Sequence, residues 1–179
     1  GSFLVTAQEP SPRRLPLTKP LPLPSLRQAL VAMEWGNDRR TEILEAKLSS
    51  FRKLCGDPDD VAGGKMCQGI RSIGSAALVC CNIAAGTLDC YYEIGVWAWD
   101  VGAGSVIIRE AGGITVGSKA WTSKAMESGD LGKLPSELIV GRKYLNIRAI
   151  ADTPEESGAD AQKRIIKEFH EAVVEFDPK

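Results

Sequence analysis

Apolar positions recur along the chain in two rhythms. From Thr41 to Leu54 the residues Leu44, Leu48, Phe51 and Leu54 return at intervals of three and four, which predicts an amphipathic helix with those side chains on its buried face. A second helical pattern runs from about Pro154 to Phe176, with Ile165, Ile166, Phe169, Val173 and Phe176 on one side. Before and between the two lie short apolar runs punctuated by glycine. The second half of Leu26–Trp35 predicts a buried strand, closed by the turn Gly36-Asn37-Asp38. Ser75–Ala85 predicts a helix led in through Gly69 and stopped by Gly86. Leu88–Glu93 predicts a short strand, Ile94–Trp99 an irregular link, and Asp100 the opening of a helix over Val101–Ala111 that ends at Gly112-Gly113. Ile114–Val116 predicts a strand, Ser118–Ser136 a polar loop and Glu137–Gly141 another short strand. The stretch Gly1–Val5 opens like the middle of a strand, and residue 1 is Gly rather than Met, so a fragment or a missing front is expected. Proline crowds Glu9–Pro24 at positions 10, 12, 16, 20, 22 and 24; without amide donors, this stretch predicts a loop or extended arm. Strands and helices alternate, which implies a layered α/β arrangement.

Composition narrows the function classes. Lys and Arg number 22 against 23 Asp and Glu, so no excess positive charge exists to draw the chain to nucleic acid or an anionic membrane. The longest apolar run, Ala76–Ala85, falls well short of the roughly 20 residues that a membrane helix needs. Cys55, Cys67, Cys80, Cys81 and Cys90 are odd in number and match no zinc spacing, so they read as reduced thiols of a cytoplasmic protein. The single histidine, His170, lies in the last helical pattern and reads as a packing or surface residue.

Three places hold candidate chemistry. Gly74-Ser75-Ala76 at a helix start is either a plain cap or a set of outward amides for a phosphate or hydroxyl ligand. Asp100 is either a helix cap or a hard-oxygen ligand of the kind Mg²⁺ prefers. Glu93 lies seven residues earlier at a strand end, where it is either solvated or turned with Asp100 toward one cleft.

The segment Gly69–Gly113, GIRSIGSAALVCCNIAAGTLDCYYEIGVWAWDVGAGSVIIREAGG, resembles the carboxy-terminal signature of the inositol monophosphatase family. Those proteins are Mg²⁺-dependent, Li⁺-sensitive phosphatases. Gly1–Leu4 resembles the strand after the family's first metal loop, and Ala29–Arg39 (ALVAMEWGNDR) resembles the strand and turn that open its second half. The Pro-rich insert is similar to that of fungal members. The resemblance implies the carboxy-terminal half of the layered sugar-phosphatase fold, a mixed sheet flanked by helices. Residues 1–28 would be a remnant strand of the amino-terminal domain plus the Pro-rich loop, and residues 29–179 the α/β domain.

By the same resemblance Asp100 is a Mg²⁺ ligand, Glu93 accepts hydrogen bonds from inositol hydroxyls, and Gly74, Ser75 and Ala76 line the substrate. Asn37 stands where the family often places a small hydroxyl residue near the ring, and Trp97 where some members carry His. The family's D-P-x-D-G-T metal loop is absent from this sequence. Asp57-Pro58-Asp59-Asp60 lacks its Gly-Thr and lies between a helix and the GIRS segment, so it reads as a surface turn. The resemblance therefore implies an inositol monophosphate phosphatase, cytoplasmic and homodimeric at full length, of which this chain alone is inactive. Other superfamily phosphomonoesterases, and a non-catalytic regulatory homologue of the quinate-pathway type, are the alternatives.

Overall fold

The computed structural model describes all 179 residues. Its centre is a five-stranded mixed sheet. Strand β3 (Leu30–Met33) pairs in parallel with β4 (Gly69–Arg71) on one side and with β5 (Cys90–Ile94) on the other. Strand β7 (Lys143–Ile147) runs antiparallel to β5, and β6 (Ile114–Val116) antiparallel to β7. Strand β5 is buried along its whole length, so its alternate side chains feed two cores. Cys90, Tyr92 and Ile94 face one core, together with Ile165, Ile166 and Phe169 of α6 (Gly158–Ala172) and Leu54 of α1 (Thr41–Cys55). Tyr91 faces the other, with Val79, Cys80 and Ile83 of α2 (Ala76–Ala85) and Ile108 of α3 (Ala98–Glu110). The layered α/β reading holds, with a pair of helices on each face of the sheet.

One carboxylate joins the bases of three strands. Asp89 Oδ2 accepts from Leu30 N at 2.7 Å, and Asp89 Oδ1 accepts from Arg148 Nε at 2.6 Å. The backbone N–H of Arg148 donates to Asp89 O at 3.1 Å, and its guanidinium also donates to the carbonyls of Leu21 and Ala149. Both oxygens of Asp89 and two guanidinium nitrogens of Arg148 thereby have partners, and the three strands are held in one register.

Several local expectations change. Ser118–Ser136 is not one loop: α4 spans Lys119–Ser128, with Ser118 Oγ capping Trp121 N at 3.1 Å and Gly129 in the left-handed conformation after it. The apolar run Glu137–Val140 is part of a short helix, α5 (Ser136–Val140), and the strand follows it as β7. The last helix is shorter than its pattern, and Phe176 lies beyond it. Gly1–Val5 holds only a two-residue strand, β1 (Phe3–Leu4), which pairs with β2 (Arg13–Arg14) apart from the main sheet. Leu23 and Leu26, before the expected boundary at residue 28, pack in the main core.

Helix α1 has the expected period with a different phase. Its inward side is Ile43, Lys47, Ser50 and Leu54, whereas Leu48 is 46% and Phe51 38% exposed. The rotation is possible because the inward polar groups find partners. Ser50 Oγ donates to Ala46 O and accepts from Val174 N, and the Lys47 ammonium donates to two backbone carbonyls.

Helices α2 and α3 meet at Gly104, where an added Cβ would lie 2.5 Å from Cys80 Cβ. Alanine would improve helix propensity by about 1 kcal/mol. The clash falls on an atom that no rotamer moves away, so overpacking wins, and Gly104→Ala is expected to lower stability by about 1–3 kcal/mol in urea denaturation.

His170 on α6 is half-buried, and its buried Nε2 has no partner. Burial, aided by Lys119, pushes it down from 6.5 to about 4. Its neutral form supports the fold above the unfolded value, and that support is lost as pH falls from about 6.5 to 4. His170→Gln is expected to remove up to about 3 kcal/mol of the acid-side loss, read by urea denaturation of both proteins at pH 7 and pH 4.

Candidate functional site

Parallel strands of an α/β sheet leave a crevice beyond their carboxyl ends. At that edge of β3 and β5 lies a cleft of about 520 Å³. The turn after β3 contributes Asn37, the last turn of β5 Glu93, and the first turn of α3 Asp100. Residues 63 positions apart in sequence, Asn37 and Asp100, thus share one cavity with Glu93.

Glu93 is 3% exposed, held by the pairing of β5 with Tyr144 on β7. Its one hydrogen bond is from Ile94 N to Oε1 at 3.1 Å. Burial pushes the carboxyl up to about 8, opposed by the charge of Lys47. A hydroxyl-bearing ligand donating to this oxygen would supply the hydrogen bonds that burial denies it.

Lys47 is 7% exposed and also lines the cleft. Its Nζ donates to Glu34 O at 3.1 Å and Trp35 O at 2.5 Å, which ties the turn that carries Asn37 to α1. Burial pulls the ammonium below its ordinary value, with Glu93 acting against the fall. Sequence reading missed this residue because the apolar stripe assigned α1 the wrong inner face. A Lys four residues after Ile43 is the only signal it leaves.

Asp100 sits inside the first turn of α3 rather than before it. Helix α3 begins at Ala98, and Asp100 Oδ2 accepts from Trp97 N at 3.0 Å. The side chain is therefore a helix cap that also borders the cleft, with its second oxygen free of protein hydrogen bonds. Trp97 forms a wall: it stacks on Trp99 with ring centroids 5.2 Å apart, and the Arg142 guanidinium lies 3.8 Å from its ring centroid. Arg142 also donates to the carbonyls of Gly95 and Lys179, joining the β5–α3 link to the chain's end.

Gly74, Ser75 and Ala76 do not line this cleft. Ser75 Oγ accepts from Leu78 N at 3.3 Å as an N-cap. The amides just before it are occupied by a carboxylate of the chain itself. Glu34 Oε1 accepts from Ile73 N at 2.7 Å and Gly74 N at 3.0 Å, and Oε2 accepts from Ser72 Oγ at 2.6 Å. Glu34, also unnoticed in the sequence, thus couples the turn of Asn37 to the start of α2. Asp57–Asp60 is an exposed turn in which Asp59 N donates to Asp57 Oδ1 at 3.0 Å, as a surface turn would be.

The donor set does not fit a dedicated Mg²⁺ site. No three His, Cys, Asp or Glu side chains converge. Asp100 has one free oxygen, and a buried Glu93 raised to about 8 is a poor second donor at neutral pH. No helix is long and apolar enough to cross a membrane.

Residues 7–173 match the model of the inositol monophosphatase family. The protein qutG of Emericella nidulans is 32% identical over 99% of this chain and 53% of its own length. The quinic acid degradation cluster protein x of Neurospora crassa is 32% identical over 92% of this chain and 48% of its own. Inositol monophosphatase 2 of Saccharomyces cerevisiae is 41% identical, over 51% of this chain and 31% of its own. Among solved structures, SuhB of Mycobacterium tuberculosis shares the fold with a TM-score of 0.58 at 24% identity, across 95% of this chain and 51% of that one. The chain spans about half the length of the full-coverage curated relatives.

The raised Glu93 has a consequence for stability. Between about 4.5 and 8 the unfolded chain ionises Glu93 while the folded chain keeps its proton, so this group's contribution falls as pH rises through that window. Glu93→Gln is expected to remove the fall, so that the variant's midpoint rises relative to the parent between pH 4.5 and pH 8.5 in thermal denaturation.

Proposed function

Because the chain belongs to the inositol monophosphatase family, with 7–173 inside the family match, we propose that it is the polyol-recognising part of a phosphatase acting on inositol monophosphates. The observation that carries this reading is the convergence of Asn37, Glu93 and Asp100 on one cleft. In it the Asn37 amide and the Glu93 carboxylate hold ring hydroxyls. A hydroxyl donating to ionised Glu93 stabilises the charged form, so affinity should rise as pH climbs toward about 8. Lys47 keeps the Asn37 turn in place and opposes the burial of the Glu93 charge. Gly74, Ser75 and Ala76 present the start of α2 beside this site, oriented by Glu34.

In a whole phosphatase of this kind, a bound Mg²⁺ would supply activation of water and offset of charge on the phosphoryl group. Asp100 would offer such an ion one carboxylate oxygen. Mg²⁺ gives up its hydration water only to several hard oxygens, so the 179-residue chain alone binds without turnover.

A second reading has its own support. Two relatives that match nearly the whole chain are qutG and a quinic acid degradation cluster protein, whereas the yeast inositol monophosphatase matches half of it. A non-catalytic regulatory protein associated with quinic acid degradation would keep the cleft without the metal donors.

Calorimetric titration of the chain separates the two. Under the first reading, myo-inositol 1-phosphate binds, and Glu93→Gln or Asn37→Ala weakens it by about tenfold, the loss of one hydrogen bond to a charged or polar group. Phosphate release in Mg²⁺ stays at background, with Asp100→Asn as control. Quinate binding with no response to the phosphate ester favours the second reading, and turnover at enzymatic rates overturns the expectation of an inactive chain.

A further inference from the structure

Two cysteines outside the cleft are brought together by a loop built for close approach. Helix α1 ends at Cys55, and the chain returns along its last turn. Lys65 N donates to Lys53 O at 2.8 Å, Met66 N to Gly56 O at 3.0 Å, and Cys67 N to Leu54 O at 2.8 Å. The intervening loop is compact: a Cβ on Gly64 would lie 2.5 Å from Gly56 O, and one on Gly56 2.7 Å from Val61 Cβ. Met66 takes a φ of +49°, a left-handed conformation uncommon for a side-chain-bearing residue, and this turns Cys67 back toward the helix end. Lys65 Nζ adds an ion pair to Glu171 of α6 at 2.8 Å.

The backbone bonds on either side, from Cys67 to Leu54 and from Met66 to Gly56, set Cys67 directly beside Cys55 at the end of α1. Cys55 is exposed and Cys67 half-buried, so the pair is open to a small reagent from one side. Cys80 and Cys90 are buried, in different cores. Cys81 is exposed but sits next to Cys80 on α2.

We propose that Cys55 and Cys67 are a reversible dithiol–disulfide site, oxidised by a small disulfide such as glutathione disulfide. The Cys55 thiolate attacks one sulfur of the reagent, whose S–S bond breaks and releases one glutathione thiolate, which takes up the proton lost by Cys55. The Cys67 thiolate then attacks Cys55 Sγ in the mixed disulfide and expels the second glutathione, which is protonated in turn. Two protein thiols and one glutathione disulfide become one protein disulfide and two glutathione thiols. The bond would close the loop 56–66 and fasten the end of α1, the helix that carries Lys47, to the lead-in of β4. Burial holds both thiols above their ordinary range, Cys67 at about 11, so exchange is slow at neutral pH and quickens in mild alkali.

The test uses the reduced 179-residue chain incubated with excess glutathione disulfide at mildly alkaline pH, then blocked with iodoacetamide. Cys80 and Cys90 should stay free, Cys81 should take up at most one glutathione, and Cys55 and Cys67 should together lose two hydrogens and carry no adduct. Trypsin cuts after Lys53 and Arg71 on either side and after Lys65 between the two cysteines, so peptides 54–65 and 66–71 should emerge joined and separate on reduction. Cys55→Ser and Cys67→Ser should each prevent the joined pair and leave a stable glutathione adduct on the remaining partner. An unchanged thiol count, separate glutathione adducts on both cysteines of the parent chain, or Cys55 joined instead to Cys81 of another chain would overturn the assignment.

Discussion

The register of the central sheet depends on one carboxylate. Asp89 reaches the first amide of β3 at Leu30, and its own strand β5 begins at the next residue. Arg148, just past the end of β7, closes the arrangement at 2.6 Å. A near-buried ion pair gains little net energy over apolar packing, because both ions lose water. Its value here is geometric. Every slip by one residue would reverse which β5 side chains face which core, and would break the Asp89 contacts as well. With the base of β5 fixed, Glu93 must arrive at the far end, on the rim of the cleft.

That arrival creates the site's main electrostatic tension. Glu93 is as buried as the tyrosines before it, with one backbone hydrogen bond to support a charge. Lys47, the nearest cation in effect, is itself held by carbonyls of the turn that carries Asn37. The two groups are partly desolvated and share no direct salt bridge, so each is displaced from its ordinary ionisation. A polyol is suited to such a place, since its hydroxyls donate to a carboxylate without bringing a second charge into the low-dielectric rim.

Glu34 gives the site a second layer of organisation. Its side chain collects two amides and a hydroxyl ahead of α2, while its carbonyl accepts from Lys47. The helix start that sequence resemblance assigned to ligand binding is thereby positioned by an internal anion, which ties it to the turn that carries Asn37. The single free carboxylate oxygen of Asp100 contrasts with this well-satisfied surround. It marks the side of the cleft where this chain's own donors run out.

Local rules made much of the fold legible. Ser75 and Gly86 bound α2 where a cap and a left-handed stop belong, and Ile165, Ile166 and Phe169 lie on the buried face of α6. Ser118 and Gly129 carried the same punctuation for α4, but the weakly apolar segment between them hid it. The β-branched run before Gly141 looked like a strand because short apolar segments do not distinguish helix from strand by period alone. Taken by itself, the sequence determined the layered α/β class and the order of elements from α1 to β6, since these rest on local propensity, while the family resemblance pointed to Asn37, Glu93 and Asp100. Tertiary structure alone decided that α1 turns Lys47 inward, that Glu34 fills the amides before α2, and that Asn37, Glu93 and Asp100 meet. Those outcomes depend on which buried polar groups find partners across the fold, and no window along the chain contains both members of such a pair.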